Sequence, residues 1–320
     1  MSDAGQTTAH PGSPAGTPRP AGAPVADDGR RVVVLVAGGP DGERPRVHPA
    51  DRPLLLADDL AAVRGDGCFE TLLLVGGRPA KPGRHLERLA RSAAMLGLEG
   101  PSEQRWRAGI ELAAREWAGG GETREAALRL VLTRGPEHGG EPTAYITVAA
   151  VGAGPLRARA EGVDVLTLER GYSVDLAGRA PWQLLGAKTL SYATNMAALR
   201  HAAERGYQDV LFLSAEGEVL EGPRSTLVLA RGGELVSPPA EIGILEGTTL
   251  GAVAEVAAAR GIGVRRERLL VTDIVAADGA WLLSSVTLAA RIRRLDELEL
   301  PTGDAGVDLP ALVDEAVGRG

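Results

Sequence analysis

The chain has 320 residues, 44% apolar and 24% charged, with a net charge of −7 and a pI near 5.4. That length allows a large core and two domains of about 100–150 residues each, and the acidic balance argues against nucleic acid, whose binders carry a basic stripe. A spanning helix needs about 18 or more consecutive apolar residues; the sequence has no such run, so no membrane association is expected.

Residues 1–30 are rich in Ala, Gly, Pro and Thr without hydrophobic periodicity, which predicts a disordered tail. They lack the basic start and apolar stretch of a secretory signal, so a cytoplasmic location is expected. Val32–Val36, closed by Gly38-Gly39-Pro40, predicts a strand, and Phe69–Val75, closed by Gly76-Gly77, a second. Over 84–97 the residues Leu86, Leu89, Ala90 and Ala93 recur at helical spacing, and a further helix is predicted at 103–118. Strands follow at Leu128–Thr133 and Ala144–Val151.

The Gly- and Ala-rich segment 152–162 reads as an interdomain linker. It divides a small N-terminal α/β domain (31–151) from a larger C-terminal domain (163–300), leaving 301–320 as a C-terminal tail. Within the second block, strands are predicted at Val163–Leu168, Val210–Leu213, Glu218–Leu220, Ser225–Ala230, Leu235–Val236 and Trp281–Ser285. Helices are predicted at 189–205 and 249–260, the latter stopped by Gly261. Mixed elements in two blocks point to an α+β chain of two α/β domains rather than a doubly wound nucleotide fold.

The single cysteine, Cys68, excludes an internal disulfide, and the five histidines form no metal-ligand spacing, so no metal is expected. Of 35 basic residues two are lysines, Lys81 and Lys188, and 33 are arginines. Under such a bias a retained lysine suggests chemistry closed to a permanently protonated guanidinium, imine formation above all. Lys188, in Gly186-Ala187-Lys188-Thr189-Leu190-Ser191-Tyr192, reads either as a desolvated nucleophilic amine or as a surface lysine opening a helix. Glu221, ending an apolar strand, is either solvated or paired with a buried cation. Thr248 and Thr249 either cap the 249–260 helix or bind a phosphate at its positive end. Arg88, one turn after His85, is either solvated or a phosphate clamp.

In order and spacing these segments resemble the class IV (fold type IV) pyridoxal-phosphate enzymes: branched-chain and D-amino acid aminotransferases and aminodeoxychorismate lyases. The resemblance spans about residues 45–298. It is carried by Gly65-Asp66-Gly67-Cys68-Phe69-Glu70-Thr71, His85-Leu86-Glu87-Arg88-Leu89, the Lys188 segment, Glu221-Gly222 with Ser225-Thr226, Gly243–Thr249, and Leu283-Ser284-Ser285-Val286. It implies pyridoxal 5′-phosphate as cofactor and Lys188 as the Schiff-base lysine and catalytic base. Arg88, Thr248, Thr249 and Ser285 would hold the phosphate, Glu221 the pyridine nitrogen, and Tyr192 would stand near the phenolic oxygen, one residue out of the usual spacing. It also implies a C-terminal domain with a barrel-like sheet, a small-molecule substrate and a homodimer. Thr226, Leu250 and Pro223-Arg224 depart from the family pattern, and leave substrate recognition open.

Within the family, the Gly65–Thr71 block and the Glu221–Val228 segment resemble the lyases more closely. Arg129 and Arg134 lie on or just after one predicted strand and would project to opposite faces if the strand ran through both, so at most one enters the site directly; each is either a substrate-carboxylate ligand or a solvated strand-end arginine. The expected reaction is conversion of 4-amino-4-deoxychorismate to 4-aminobenzoate and pyruvate. The alternatives are an aminotransferase acting on D-amino or branched-chain amino acids, and a catalytically silent scaffold.

Overall fold

The computed structural model describes residues 29–37, 44–119, 121, 122 and 124–319. In chain order its elements begin with β1 (Arg31–Ala37), β2 (Arg46–His48), α1 (Leu60–Arg64), β3 (Gly67–Val75), β4 (Arg78–Pro79), α2 (Pro82–Met95) and α3 (Glu103–Ala118). Next come β5 (Ala126–Thr133), β6 (Thr143–Ala150), α4 (Ala153–Glu161), β7 (Val163–Glu169), α5 (Leu176–Arg179), α6 (Ala193–Ala203) and β8 (Asp209–Leu213). The chain closes with β9 (Thr226–Arg231), β10 (Glu234–Ser237), α7 (Thr248–Ala259), β11 (Val264–Arg266), α8 (Val271–Val275), β12 (Gly279–Ser284), β13 (Leu288–Leu295), β14 (Leu298–Glu299) and α9 (Leu309–Val317).

The first sheet has six antiparallel strands in the order β2-β1-β6-β5-β3-β4. Strand alternation sorts its faces. Cys68, Leu72 and Leu74 of β3 and Leu128, Leu130 and Leu132 of β5 pack with Leu86 and Leu89 of α2 and Trp106 and Ile110 of α3. The opposite parity, including Phe69, Thr71, Leu73 and Arg129, turns toward the second half of the chain.

The second sheet runs β11-β10-β9-β12-β13-β7-β8, with β14 pairing β13 off that path. Val236 on β10 and Leu211 on β8, near opposite ends of the order, share one buried cluster with Leu227, Leu229, Leu282 and Ile292, so the sheet curls around it. The amide of Val219 donates to the carbonyl of Leu269 at 2.7 Å, bringing the two ends closer still. The other face is covered by α7 and α9 through Leu250, Val253, Leu309, Leu312 and Val313. This is the α+β arrangement expected, with its curled second sheet.

Two segments differ from their expected character. Residues 152–162 hold helix α4 (Ala153–Glu161): Ala and Arg favour helix, Gly154 and Pro155 fall in its first turn, where proline is tolerated, and Gly152 and Gly162 flank it. Residues 301–320 do not trail away: Asp308 caps α9 through the Ala311 amide, and five residues of that helix are buried. The 189–205 helix starts only at Ala193, because Thr189 and Leu190 are drawn into pairing with β3. Most of the expected N-terminal tail, residues 1–28, lies outside the described residues.

Candidate active site

Lys188 rides on an extended stretch that pairs with the start of β3 on the edge opposite β5. Phe69 donates its amide to the Lys188 carbonyl at 3.0 Å and Leu190 to Gly67 at 2.8 Å, while the Lys188 amide donates to Ser92 Oγ at 3.0 Å. The backbone is thereby held by the first sheet and α2 together. Its Nζ lies 4.6 Å from the centroid of the Phe69 ring and 5.9 Å from that of Tyr192. Burial lowers the amine to about 8, assisted by the Arg88 charge and opposed by Glu70 and Glu221. A useful fraction is therefore neutral, and nucleophilic, in mildly alkaline solution.

Glu221 follows the turn after β8, where its carbonyl accepts from Phe212 N at 2.9 Å. Its carboxylate accepts from the Leu245 amide at 3.2 Å. Burial raises its pKa to about 7, with the Leu245 amide and the charges of Lys188, Arg170 and Arg88 pulling the other way. One amide does not compensate a desolvated carboxylate, so this group favours a cationic partner. Beside it, Arg170 Nη1 and Ser225 Oγ are buried without hydrogen-bond partners among the described residues.

A third group surrounds Glu70, which is fully buried at the core-facing parity of β3. Arg88 grips it with Nε at 2.6 Å and Nη2 at 2.8 Å, and gives Nη1 to the Glu246 carbonyl at 2.9 Å. His85 Nδ1 lies 2.7 Å from the second carboxylate oxygen. An ionised carboxylate only accepts, so Nδ1 carries the proton and Nε2 is left as an acceptor facing Thr248 Oγ1 at 3.4 Å. Thr248 Oγ1 is also 3.4 Å from Ser285 Oγ. Although desolvation opposes it, the Arg88 and His85 partners hold Glu70 down at about 2. Burial, partly offset by Glu70, lowers His85. Thr248 and Thr249 open α7, so free backbone N–H groups and the helix dipole add to the positive field of Arg88.

The pattern of the amino-transferase class IV family matches residues 67–295. A bifunctional aminodeoxychorismate lyase / D-amino acid transaminase of Mycobacterium tuberculosis is 47% identical over 272 residues, covering 83% of this chain and 94% of the relative. The chain belongs to the class IV aminotransferase family. The pyridoxal-phosphate-bound form of a hypothetical aminotransferase from M. tuberculosis superposes with a TM-score of 0.85 at 46% identity, over 90% of this chain and 99% of that one. The fold IV transaminase CpuTA1 of Curtobacterium pusillum gives a TM-score of 0.83 at 36% identity, over 91% and 99%.

As a class IV enzyme the chain uses pyridoxal 5′-phosphate, and its residues fit that group. Lys188 offers a depressed amine to the aldehyde, Glu221 a carboxylate in want of a cation, and the start of α7 with Arg88 an anion site. The unpartnered Arg170 Nη1 and Ser225 Oγ flank Glu221, where a polar ligand would satisfy them.

The structure brings Lys188, Glu221, Arg88 and Arg129 into one electrostatic neighbourhood, and Thr248, Thr249 and Ser285 around one small cavity with His85. Tyr192 is close to Lys188, but its hydroxyl donates to the Pro223 carbonyl, as does Asn195 Nδ2 at 2.7 Å. Toward a phenolic oxygen Tyr192 therefore presents no proton of its own. The two arginines part as strand parity requires. Arg129 stands over the Phe69 ring at 5.7 Å. Arg134 is tied to Asp66 at 2.6 Å and to the Leu96 carbonyl at 2.7 Å.

The departures from the family pattern are accommodated locally. Leu250 is buried against α9, and Pro223 supplies the carbonyl that anchors Tyr192. Thr226 packs against Gly247, where a Cβ would stand 2.6 Å from its Oγ1. Sequence reasoning assigned no role to Glu70, His85 or Arg170. For Glu70 a signal existed: an acid at the buried parity of a strand, between Cys68 and Leu72, requires a buried cation. Arg170, in a loop after β7, carried none.

Proposed function

We propose that this enzyme converts 4-amino-4-deoxychorismate to 4-aminobenzoate and pyruvate. The observation that carries the reading is the grouping about Phe69: the Lys188 amine at 4.6 Å, the Arg129 guanidinium at 5.7 Å and the Tyr192 ring edge-on at 5.4 Å. A flat ring bearing a carboxylate fits such a wall, with the carboxylate toward Arg129 and the amine toward Lys188. Arg134 is already engaged by Asp66, which leaves Arg129 as the better ligand within this chain.

As a neutral amine, Lys188 removes the proton from the amine-bearing carbon of the substrate. Bound pyridoxal phosphate supplies the electron sink for the pair left behind. Glu221 would hold the cofactor's ring nitrogen and favour its protonated form, while Arg88, Thr248, Thr249 and Ser285 would hold the phosphate. Loss of the enolpyruvyl ether, which takes up a proton and leaves as pyruvate, then aromatises the ring; no oxidant or water is consumed.

Transamination at the same site is the second reading, favoured by the relative of 47% identity whose name carries both activities. The two part after proton removal, according to where the proton returns. The deciding experiment supplies 4-amino-4-deoxychorismate and measures pyruvate and 4-aminobenzoate, then supplies D- and L-amino acids in single turnover. Equimolar release of both products supports the lyase. Amino acids converting the whole cofactor to its amine form, with no pyruvate from the chorismate derivative, would leave transamination alone.

We also propose that two copies associate. Trp182 is 72% exposed and Met196 41% exposed, and both belong to the segment that carries Lys188 and its following helix α6.

A further inference from the structure

Ser285 belongs to the three-residue turn between β12 and β13, and its placement depends on residues far from the site. A three-residue hairpin loop ordinarily ends on a left-handed residue, and glycine is usual there. Here the left-handed residue is instead Leu288, the first of β13 after the turn, at φ 60°, with its side chain in the buried cluster of Val253 and Leu312. A non-glycine residue holds this backbone only where its surroundings over-determine it.

Two contacts hold the turn. The Thr287 amide donates to Ser284 Oγ at 3.0 Å. Arg159 of α4 places Nε at 3.1 Å and Nη2 at 2.5 Å from the Val286 carbonyl, next to Ser285. The same guanidinium gives Nη1 to Glu125 at 2.5 Å, and the other Glu125 oxygen accepts from Arg319 at 2.6 Å. Arg159 is only 11% exposed at its side chain, and Glu125 21%, so this chain of charge-assisted bonds is poorly screened. It joins the start of β5, the connection α4, the end of the chain after α9, and the Ser285 turn.

We propose that Arg159 is a positioning residue for the phosphate site: through the Val286 carbonyl it holds the strained Ser285 turn in register with Thr248, with Glu125 as its anchor. The proposal rests on Ser285 being a phosphate ligand. Lysine cannot replace Arg159, because one ammonium cannot span the carbonyl and the carboxylate in a planar fork.

The test titrates wild-type apoenzyme, Arg159→Ala, Ser285→Ala and the double variant with pyridoxal phosphate and with pyridoxal, which lacks the phosphate. Arg159→Ala should weaken pyridoxal phosphate on the order of tenfold, as loss of an outer partner does at metal sites, and leave pyridoxal unchanged. The double variant should bind no more weakly than Ser285→Ala alone. Equal weakening of both ligands, no weakening, or additive losses in the double variant would each overturn the proposal. An unchanged ratio in Ser285→Ala means instead that Ser285 does not meet the phosphate, and the proposal falls with that assignment. If Arg159→Ala does not fold, Glu125→Gln, which keeps volume and loses the charge, is read by the same ratio.

Discussion

Lys188 combines two properties that are hard to hold together, a cation's length and a neutral amine's reactivity, and burial reconciles them. With its pKa at about 8, the capture rate for pyridoxal phosphate should climb as pH rises through 8 and then level off, since only the deprotonated amine attacks. Stopped-flow measurement across that range checks it; a flat profile would contradict a buried nucleophilic amine. Lys188→Arg keeps the charge but cannot form the imine, so turnover should fall by about 10²–10⁴-fold or more, and borohydride followed by peptide mapping should no longer label position 188. Label on Lys81 in the wild type would overturn the assignment. Glu221→Gln should slow proton removal more than it weakens cofactor binding, read as a drop in single-turnover rate at saturating cofactor.

Glu70 shows the same principle with opposite sign. Its carboxyl is held at about 2 in the folded chain against an ordinary value of 4.5. Below 4.5 the unfolded chain takes up a proton that the native form refuses. The stabilisation is therefore complete above that pH and is lost as pH falls toward 2. Glu70→Ala strands the buried Arg88 charge and should cost about 3–5 kcal/mol in urea unfolding of the apoenzyme. Its stability should also depend less steeply on acid than that of the wild type.

At the level of elements, the turn after β8 and the helix after β14 bear the most on the site. Gly222 admits no side chain, because a Cβ would lie 2.3 Å from Ser225 Oγ and 3.0 Å from the Val210 carbonyl. That close approach is what lets Glu221 project toward Lys188 while Pro223 turns back to meet Tyr192. Helix α9 closes the outer face of the second sheet over α7, so Leu312→Ala should cost about 2–5 kcal/mol in unfolding free energy. Because α7 opens the proposed phosphate site, cofactor affinity should fall along with it. A variant with normal stability would mean that α9 is dispensable to the core.

The periodic elements were legible because they obey local rules. An apolar run closed by Gly76-Gly77 marked β3, helical spacing marked α2, and β5, β6 and α3 were expected within a few residues of their observed ends. Helix α4 and helix α9 were not legible. The first is rich in glycine, alanine and arginine and has no apolar stripe; the second is short, and its burial depends on a sheet assembled from distant segments.

For the whole molecule, the consequence is that one site draws on both sheets. Phe69 and Glu70 come from the first sheet and Arg88 from the helix packed on it, Glu221 and Ser285 from turns of the second and Thr248 from the helix covering it, while the backbone of Lys188 is bonded to β3 and α2. Exposed Trp182 and Met196, on the segment that carries Lys188, suit a second copy. Trp182→Arg should convert a dimer to monomers in sedimentation and reduce activity with it; a wild-type chain that sediments as a monomer would remove the second copy from the reading.

The residue types and their order were decided by the sequence alone. Imine chemistry requires a lysine, a ring-nitrogen partner requires an acid, and a phosphate site requires a helix start; each requirement shows as a letter at a spacing. What only the tertiary structure decided is how those residues are held: the clasp of Glu70 on Arg88 and His85, the parting of Arg129 from Arg134, and the reach of Arg159 to the Ser285 turn. Such long-range pairs owe their strength to burial, and burial is a property of the assembled chain, which no local pattern encodes.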